Sequence, residues 1–124
     1  KQLEAVLELV DLKEYVYQLP NDLETKLQPE GKGLSKRIIQ SILVARALIG
    51  KPKAIIMENA LLHLYEDVKN RILDYLIKGD WTLILVTKDE EAIKRVDEII
   101  VMDQGKNVFQ GNHEGYLSFT SNSN

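Results

Sequence analysis

The residues in this sequence that could do chemistry are polar side chains at the ends of apolar runs. Glu58 and Asn59 come directly after the apolar run 54–57. A carboxylate there can reach the coordination shell of a metal ion, whereas an amide cannot accept a proton. Lys88 comes shortly after a second apolar run, at 82–86, and can pair with a phosphate as a point charge. The chain therefore offers candidate metal-binding and phosphate-binding groups.

A further set of polar residues stands where a helix is predicted to begin. Ser35 is a favourable N-cap for the helix predicted from Lys36 to Ile49. Lys36 and Arg37 fall in its first turn, where their charges oppose the helix dipole by roughly a few tenths of a kcal/mol. A nearby anion reverses that sign, so the two cations either contact a phosphate or are simply solvated.

Helices and strands alternate after a helical first third. Apolar spacing predicts helices over 2–10 and 12–18, followed by a loop rich in Pro and Gly over 20–33. Beyond the helix at 36–49, the predicted strands are 54–57, 82–86, 98–102 and 107–110, and the predicted helices are 68–77 and 89–96. This order predicts an α/β fold with a mostly parallel sheet, in which only the last pair of strands is antiparallel.

Composition argues against several classes of protein. The 124 residues are 44% apolar and carry a net charge of −3, with no basic face that would favour nucleic-acid binding. There is no cysteine, and His63 and His113 are fifty residues apart, so we expect no zinc site and no metal held by protein ligands alone. No apolar run approaches the roughly 20 residues that span a bilayer.

The spacing of the candidate residues resembles that of the ATP-binding-cassette (ABC) ATPase family. Leu34-Ser35 is followed eleven residues later by Arg46, in the run 44–48, and then by 51–53 and a strand that ends in acid. The family has a Leu-Ser-Gly-Gly-Gln signature, a helix ending in Ala-Arg-Ala-Leu, and a Walker B strand ending in Asp-Glu. The spacing matches without a gap.

The likeness covers nearly the whole chain. Upstream, Leu19-Pro20 and Thr25 resemble the exporter branch, in which the ATPase is usually fused to a membrane-spanning domain; downstream, it continues through 101–106 and 110–114. No segment fits the phosphate-loop pattern Gly-x-x-x-x-Gly-Lys-Ser/Thr. We therefore expect a C-terminal piece of an ATP-binding domain, whose phosphate loop lies earlier in a larger parent protein.

The resemblance implies a role for each polar position. Ser35, Lys36 and Arg37 stand in the signature, which contacts the nucleotide held by the opposite subunit; in the family, two glycines let backbone N–H groups approach the γ-phosphate. Glu58 matches the Walker B acid, which holds magnesium through water. Asn59 matches the glutamate that polarises the attacking water, so hydrolysis should be slow while nucleotide binding survives.

Alternatives remain for these assignments. A one-residue slip makes Glu58 the base and leaves Met57 on magnesium, but ends the apolar run early, so we favour the gapless register. Lys88 matches the family's switch histidine and fits a charged helix start equally well. Tyr65 replaces an acid in the loop that crosses the family's dimer interface, and His63 is interpreted as a surface or interface residue.

The domain prediction follows from this placement. Residues 1–50 are predicted to form part of a helical subdomain that includes the signature helix, residues 51–117 the C-terminal part of the ATPase core, and residues 118–124 a flexible tail. The piece alone should be soluble and inactive, since it lacks the phosphate loop.

The leading functional hypothesis is an exporter-type ABC subunit that couples ATP and magnesium to transport, with impaired hydrolysis. Its implied partners are a transmembrane domain and a second ATP-binding domain, identical or different, at the cytoplasmic face of the cell membrane. The alternative is a binding or regulatory module that keeps the fold without turning over nucleotide. A parallel-sheet signalling domain is disfavoured because its five repeated βα units are not found.

Overall fold

The computed structural model describes residues 1–122. The chain forms two compact units. The first spans residues 1–86 and the second begins at Thr87. The predicted boundary after Gly50 does not separate compact units, because the helical first third packs with the first two strands. Whether residues 1–50 and 51–117 belong to different subdomains of a larger ATPase stays a prediction.

The first unit holds four α-helices and two strands in the order expected from the sequence, and two short 3-10 helices, Asp22–Glu24 and Pro29–Gly31, lie between α2 and α3. Its elements are α1 (Gln2–Leu9), α2 (Lys13–Tyr17), α3 (Lys36–Leu48), β1 (Ala54–Glu58), α4 (Glu66–Lys78) and β2 (Thr82–Val86). The Ser35 side chain accepts a hydrogen bond from the Ile38 N–H at 3.2 Å, which confirms Ser35 as the N-cap of α3. Gly79 ends α4, and the Trp81 ring packs against it. A Cβ at this position would stand 2.1 Å from the ring, so there is no room for a side chain.

Strands β1 and β2 form a parallel pair that runs from Ala54 opposite Thr82 to Glu58 opposite Val86. Because side chains alternate along a strand, Ile55 and Met57 enter the core while Ile56 is 72% exposed. The buried residues of α1, α3 and α4 cover only the face that Ile55 shares. The opposite face of the pair, with Ile56 and Ile84, is apolar and open within this unit.

A polar cluster joins α1 to α2 on the surface. Tyr17 donates a hydrogen bond to the Glu4 carboxylate, and Lys13 forms ion pairs with Glu4 at 3.4 Å and Glu8 at 2.6 Å. The Tyr17 hydroxyl, and secondarily Lys13, holds the pKa of Glu4 below its ordinary value. The Glu8 and Glu4 carboxylates raise the pKa of Lys13.

One buried polar group in α3 has no hydrogen-bond partner among the described residues. Ser41 is fully buried, and its hydroxyl oxygen is the buried side-chain atom left without a partner in the described part of the chain. An unsatisfied buried hydroxyl costs about 1–3 kcal/mol, and alanine is also the better helix former. We expect Ser41→Ala to raise the free energy of unfolding of this chain by about 1 kcal/mol, measured by urea denaturation followed by circular dichroism. A loss of stability would mean that the hydroxyl is satisfied after all.

The second unit contains α5 (Glu90–Arg95), β3 (Ile99–Asp103), β4 (Lys106–Gly111) and α6 (His113–Asn122). Strands β3 and β4 are antiparallel, joined by Gln104 and Gly105, which both have positive φ as a tight hairpin turn requires. Strands β3 and β4 form the antiparallel last pair that the sequence predicted. The turn pairs β3 with its neighbour in sequence.

The predicted flexible tail at 118–124 was wrong for residues 118–122, which belong to α6. Phe109 on β4 stacks on Phe119 at 5.3 Å between ring centroids and meets Tyr116 edge-on at 6.5 Å. The prediction weighed the polarity of this segment and missed the aromatic contact that orders it. Residues 123–124 of the predicted tail lie outside the described residues.

No helix among residues 1–122 combines the length and the apolar character needed to traverse a lipid bilayer.

Candidate functional site

The end of β1 places Glu58 and Asn59 side by side. Glu58 is the last residue of the strand, and its exposed side chain lies on the open face that Ile56 shares. The Asn59 N–H donates to the Val86 carbonyl at 2.9 Å, which extends the pairing of the two strands by one bond. Met57 is buried in the core, and this disfavours the shifted register that would place it on magnesium.

Asn59 adopts the left-handed backbone conformation, with φ of +50°. Among residues other than glycine, asparagine is one of the few that tolerate this conformation, because its short side chain can bond locally. Asn59 therefore has a conformational reason to be asparagine, in addition to the chemical consequence that an amide is no general base. A longer side chain at this position pays a backbone cost of about 1 kcal/mol.

The loop at residues 59–65 is held by the side chain of Gln40, a residue that the sequence analysis did not single out. Its Nε2 donates to the Asn59 carbonyl at 3.0 Å, and its Oε1 accepts from the His63 N–H at 2.7 Å. The only signal in the sequence is a polar residue that follows Ile38 and Ile39, at a helix position otherwise close to the core. The His63 backbone is engaged here, and its ring is exposed to solvent.

The first turn of α3 lies beside the same loop. Lys36 is exposed, whereas the Arg37 guanidinium stacks over the Tyr65 ring at 5.0 Å from its centroid. Ile38 is buried in the core, and it occupies the position at which the ABC signature has a glutamine. The Arg37 contact and the Gln40 bonds thus join α3 to the loop at residues 59–65, and Arg37 is not simply solvated.

Lys88 belongs to the second unit. It is exposed and precedes α5, whose N-cap is the Asp89 carboxylate, an acceptor for the Glu91 N–H at 3.0 Å. The Asp89 N–H in turn donates to the Thr87 hydroxyl at 3.0 Å. These contacts favour the charged helix start, and the switch role of Lys88 stays a prediction.

The described residues offer few ligands for a magnesium ion. No three His, Cys, Asp or Glu side chains among residues 1–122 stand close enough to hold a metal ion. Glu58 offers one exposed carboxylate. Magnesium sites commonly use one or two carboxylates together with waters and substrate phosphates, so Glu58 suits a metal that arrives with a nucleotide.

A groove of about 640 Å³ lies elsewhere in the first unit, at the opposite end of the two strands. Its lining includes the tilted Tyr75–Trp81 ring pair at 5.5 Å, and the Trp81 Nε1–H donates to the Leu76 carbonyl at 2.8 Å. Basic side chains, including Lys51, and acidic side chains both line the groove. The aromatic pair packs the start of β2, and the groove has no part in the site at the end of β1.

Curated proteins similar to this chain are ATP-binding transport proteins. The transport/processing ATP-binding protein ComA of Streptococcus pneumoniae is 33% identical over 112 residues, 90% of this chain and 16% of ComA. The α-hemolysin translocation ATP-binding protein HlyB of Escherichia coli is 34% identical over 113 residues, with shares of 89% and 16%. LagD of Lactococcus lactis, named for processing and transport of lactococcin G, is 36% identical over 104 residues, with shares of 83% and 15%.

The fold is also found in a solved structure. A bacterial Atm1-family ABC exporter with ATP bound matches 96% of this chain and 21% of its own, with a TM-score of 0.83 and 24% identity. This chain is a homologue of ABC exporter ATP-binding proteins. The resemblance to that family and the predicted α/β fold are confirmed. No family model matches the chain.

The chain spans about a sixth of the length of these ABC relatives. The likeness therefore concerns the ATP-binding part of much longer proteins. Six residues have roles that are assigned only from their positions in the family's motifs, and these roles stay predictions: Ser35, Lys36, Arg37, Glu58, Asn59 and Lys88.

The N-cap of α3 gives a direct test of one site residue. Replacing Ser35 with alanine removes the acceptor for the Ile38 N–H and should lower the free energy of unfolding of this chain by about 1 kcal/mol. Ser35→Asp keeps a capping oxygen and should retain most of that stability. Thermal denaturation of the three proteins measures both effects. Equal losses in the two variants would show that capping is not what Ser35 contributes.

Proposed function

We propose that this chain forms the signature and Walker B part of an ATP-binding domain in an ABC exporter. The observation that supports the proposal is that the Gln40 side chain on α3 bonds the backbone of Asn59 and His63 in the loop that follows β1. The full-length protein then binds ATP with magnesium at a site completed by a second ATP-binding domain. A transmembrane domain is its other partner, at the cytoplasmic face of the cell membrane.

Each residue has a stated task in this proposal. Ser35, Lys36 and Arg37 face the nucleotide bound by the second domain, where Lys36 contributes a side-chain charge in place of a glycine amide. Glu58 holds a water of the magnesium shell. When bound, ATP would supply the phosphate charge that offsets the two cations at the N-terminus of α3.

Hydrolysis at this site is slow in the proposal because Asn59 cannot accept the proton of the attacking water. A second candidate function, an ABC-fold module that binds partners without turning over nucleotide, is favoured by two further observations. Ile38 is buried where the signature has a glutamine, and Tyr65 stands where the family has an acid. Nucleotide binding separates the two candidates.

The test is equilibrium binding of ATP to the full-length protein, with and without magnesium, beside its Ser35→Asp variant. The proposal expects magnesium-dependent binding, together with ATP-driven association of two ATP-binding domains. Ser35→Asp, which keeps the helix cap, should weaken that association because it sets a carboxylate against the phosphates. Absence of ATP binding by the unaltered protein rejects the transport-ATPase function and leaves the binding module.

A further inference from the structure

The side chain of Gln40 spans the loop at residues 59–65 rather than touching it at one point. Its amide nitrogen bonds the carbonyl at the first residue of the loop, and its amide oxygen bonds the N–H four residues later. Both ends of the amide are therefore used by backbone groups. A side chain that satisfies one donor and one acceptor in this way replaces the ladder bonds that the chain loses where it leaves β1.

The loop's own hydrogen bonds are weaker than those it makes with Gln40. The Leu62 N–H reaches the Asn59 carbonyl at 3.4 Å, and the Leu64 N–H reaches the Leu61 carbonyl at 3.3 Å. The bonds to Gln40 measure 3.0 and 2.7 Å, close to the preferred lengths for N–H···O contacts. The conformation of the loop therefore depends more on α3 than on its own turns.

Arg37 adds a second attachment on the same face of α3. It lies three residues before Gln40, so the two side chains are neighbours on the helix surface. Its guanidinium stacks on Tyr65 at the far end of the loop. The loop is thus fastened to α3 near its start, in its middle and at its end.

We propose that Gln40 is a positioning residue for the nucleotide site. Its amide fixes the loop at residues 59–65 on α3, and so sets where the side chain of residue 59 stands next to Glu58. The carbonyl that Gln40 bonds belongs to Asn59, the residue of the loop with the left-handed conformation. This inference rests on the proposed function, since it assigns Gln40 to the same site.

Gln40→Met in the full-length protein tests the attachment, because methionine keeps the length of glutamine and cannot form either hydrogen bond. Amide hydrogen exchange, measured without nucleotide, should show the His63 N–H exchanging about tenfold faster. Gln28→Met, at an exposed loop position, is the matched control and should leave the His63 exchange unchanged. Unchanged exchange in Gln40→Met overturns the inference.

A second measurement separates positioning from a merely structural role. In a full-length protein that carries Asn59→Glu, adding Gln40→Met should lower kcat about tenfold while ATP affinity stays the same, because the carboxylate is displaced and the phosphate contacts are not. Equal kcat in the single and double variants overturns the positioning role even if the loop is loosened. Failure of Asn59→Glu to give turnover overturns it as well, since no reaction then depends on residue 59.

The two failures can be told apart. If the unaltered protein binds no ATP, the proposed function fails and the positioning role falls with it. The exchange measurement contains no nucleotide, and it reports separately whether Gln40 holds the loop.

Discussion

Replacing Asn59 with glutamate in the full-length protein is expected to raise ATP hydrolysis by about 10²- to 10⁴-fold, the usual contribution of a positioned general base. The carboxylate would stand where the Asn59 side chain leaves the end of β1, next to Glu58. The gain should appear in kcat and leave ATP binding unchanged, because residue 59 acts on the attacking water and not on the phosphates. Steady-state phosphate release at saturating ATP measures it.

The left-handed conformation of residue 59 makes the choice of control important. Asn59→Gln matches glutamate in length and pays the same backbone cost, but it has no carboxylate. It should show no gain in turnover and the same small loss of stability. Asn59→Asp tolerates the left-handed conformation better and places its carboxylate one methylene short, so we expect an intermediate rate. Equal rates for Asn59→Glu and Asn59→Gln would contradict the assignment of residue 59.

Two neighbouring residues on β1 should respond very differently to truncation. Ile55 is 3% exposed and packs against the core, so Ile55→Ala should lower the free energy of unfolding by about 2–5 kcal/mol. Ile56 is 72% exposed, and Ile56→Ala in this chain should cost less than about 1 kcal/mol, mostly through lower strand propensity. Urea denaturation followed by circular dichroism compares the two.

The same pair tests whether another part of a larger protein covers the open face. The open face exposes an apolar surface to solvent in this unit, formed by Ile56, Ile84 at 50% exposure and Val86 at 52%. In the full-length protein, Ile56→Ala should lower the free energy of unfolding several times more than it does in this chain. The loss caused by Ile55→Ala should be similar in both proteins. An unchanged cost for Ile56→Ala in both proteins would mean that the face remains open.

Much of the fold was predictable because it depends on local patterns. The apolar run of β1, the apolar stripe of α4 and the Ser35 cap each involve a few adjacent residues, and the structure has them within one or two positions of the prediction. The order of strands and helices then left few topologies for the first unit. The parallel pairing of β1 with β2 followed from it.

What escaped prediction depends on contacts between distant residues. Gln40 bonds residues 19 and 23 positions away, and its place after two isoleucines does not tell which backbone groups its side chain bonds. The order in residues 118–122 comes from Phe109 on the preceding strand. The left-handed conformation of Asn59 lies where the chain leaves β1 and was not marked by any local pattern, so this asparagine was interpreted in chemical terms alone.

The central claim is that ATP bound at this site persists because residue 59 carries an amide. Single-turnover hydrolysis by the full-length protein, purified without other subunits and mixed in excess over radiolabelled ATP and magnesium, tests it most directly. We predict that the nucleotide is bound and is recovered mainly as ATP after many minutes. Conversion of the bound ATP to ADP within seconds would contradict the account.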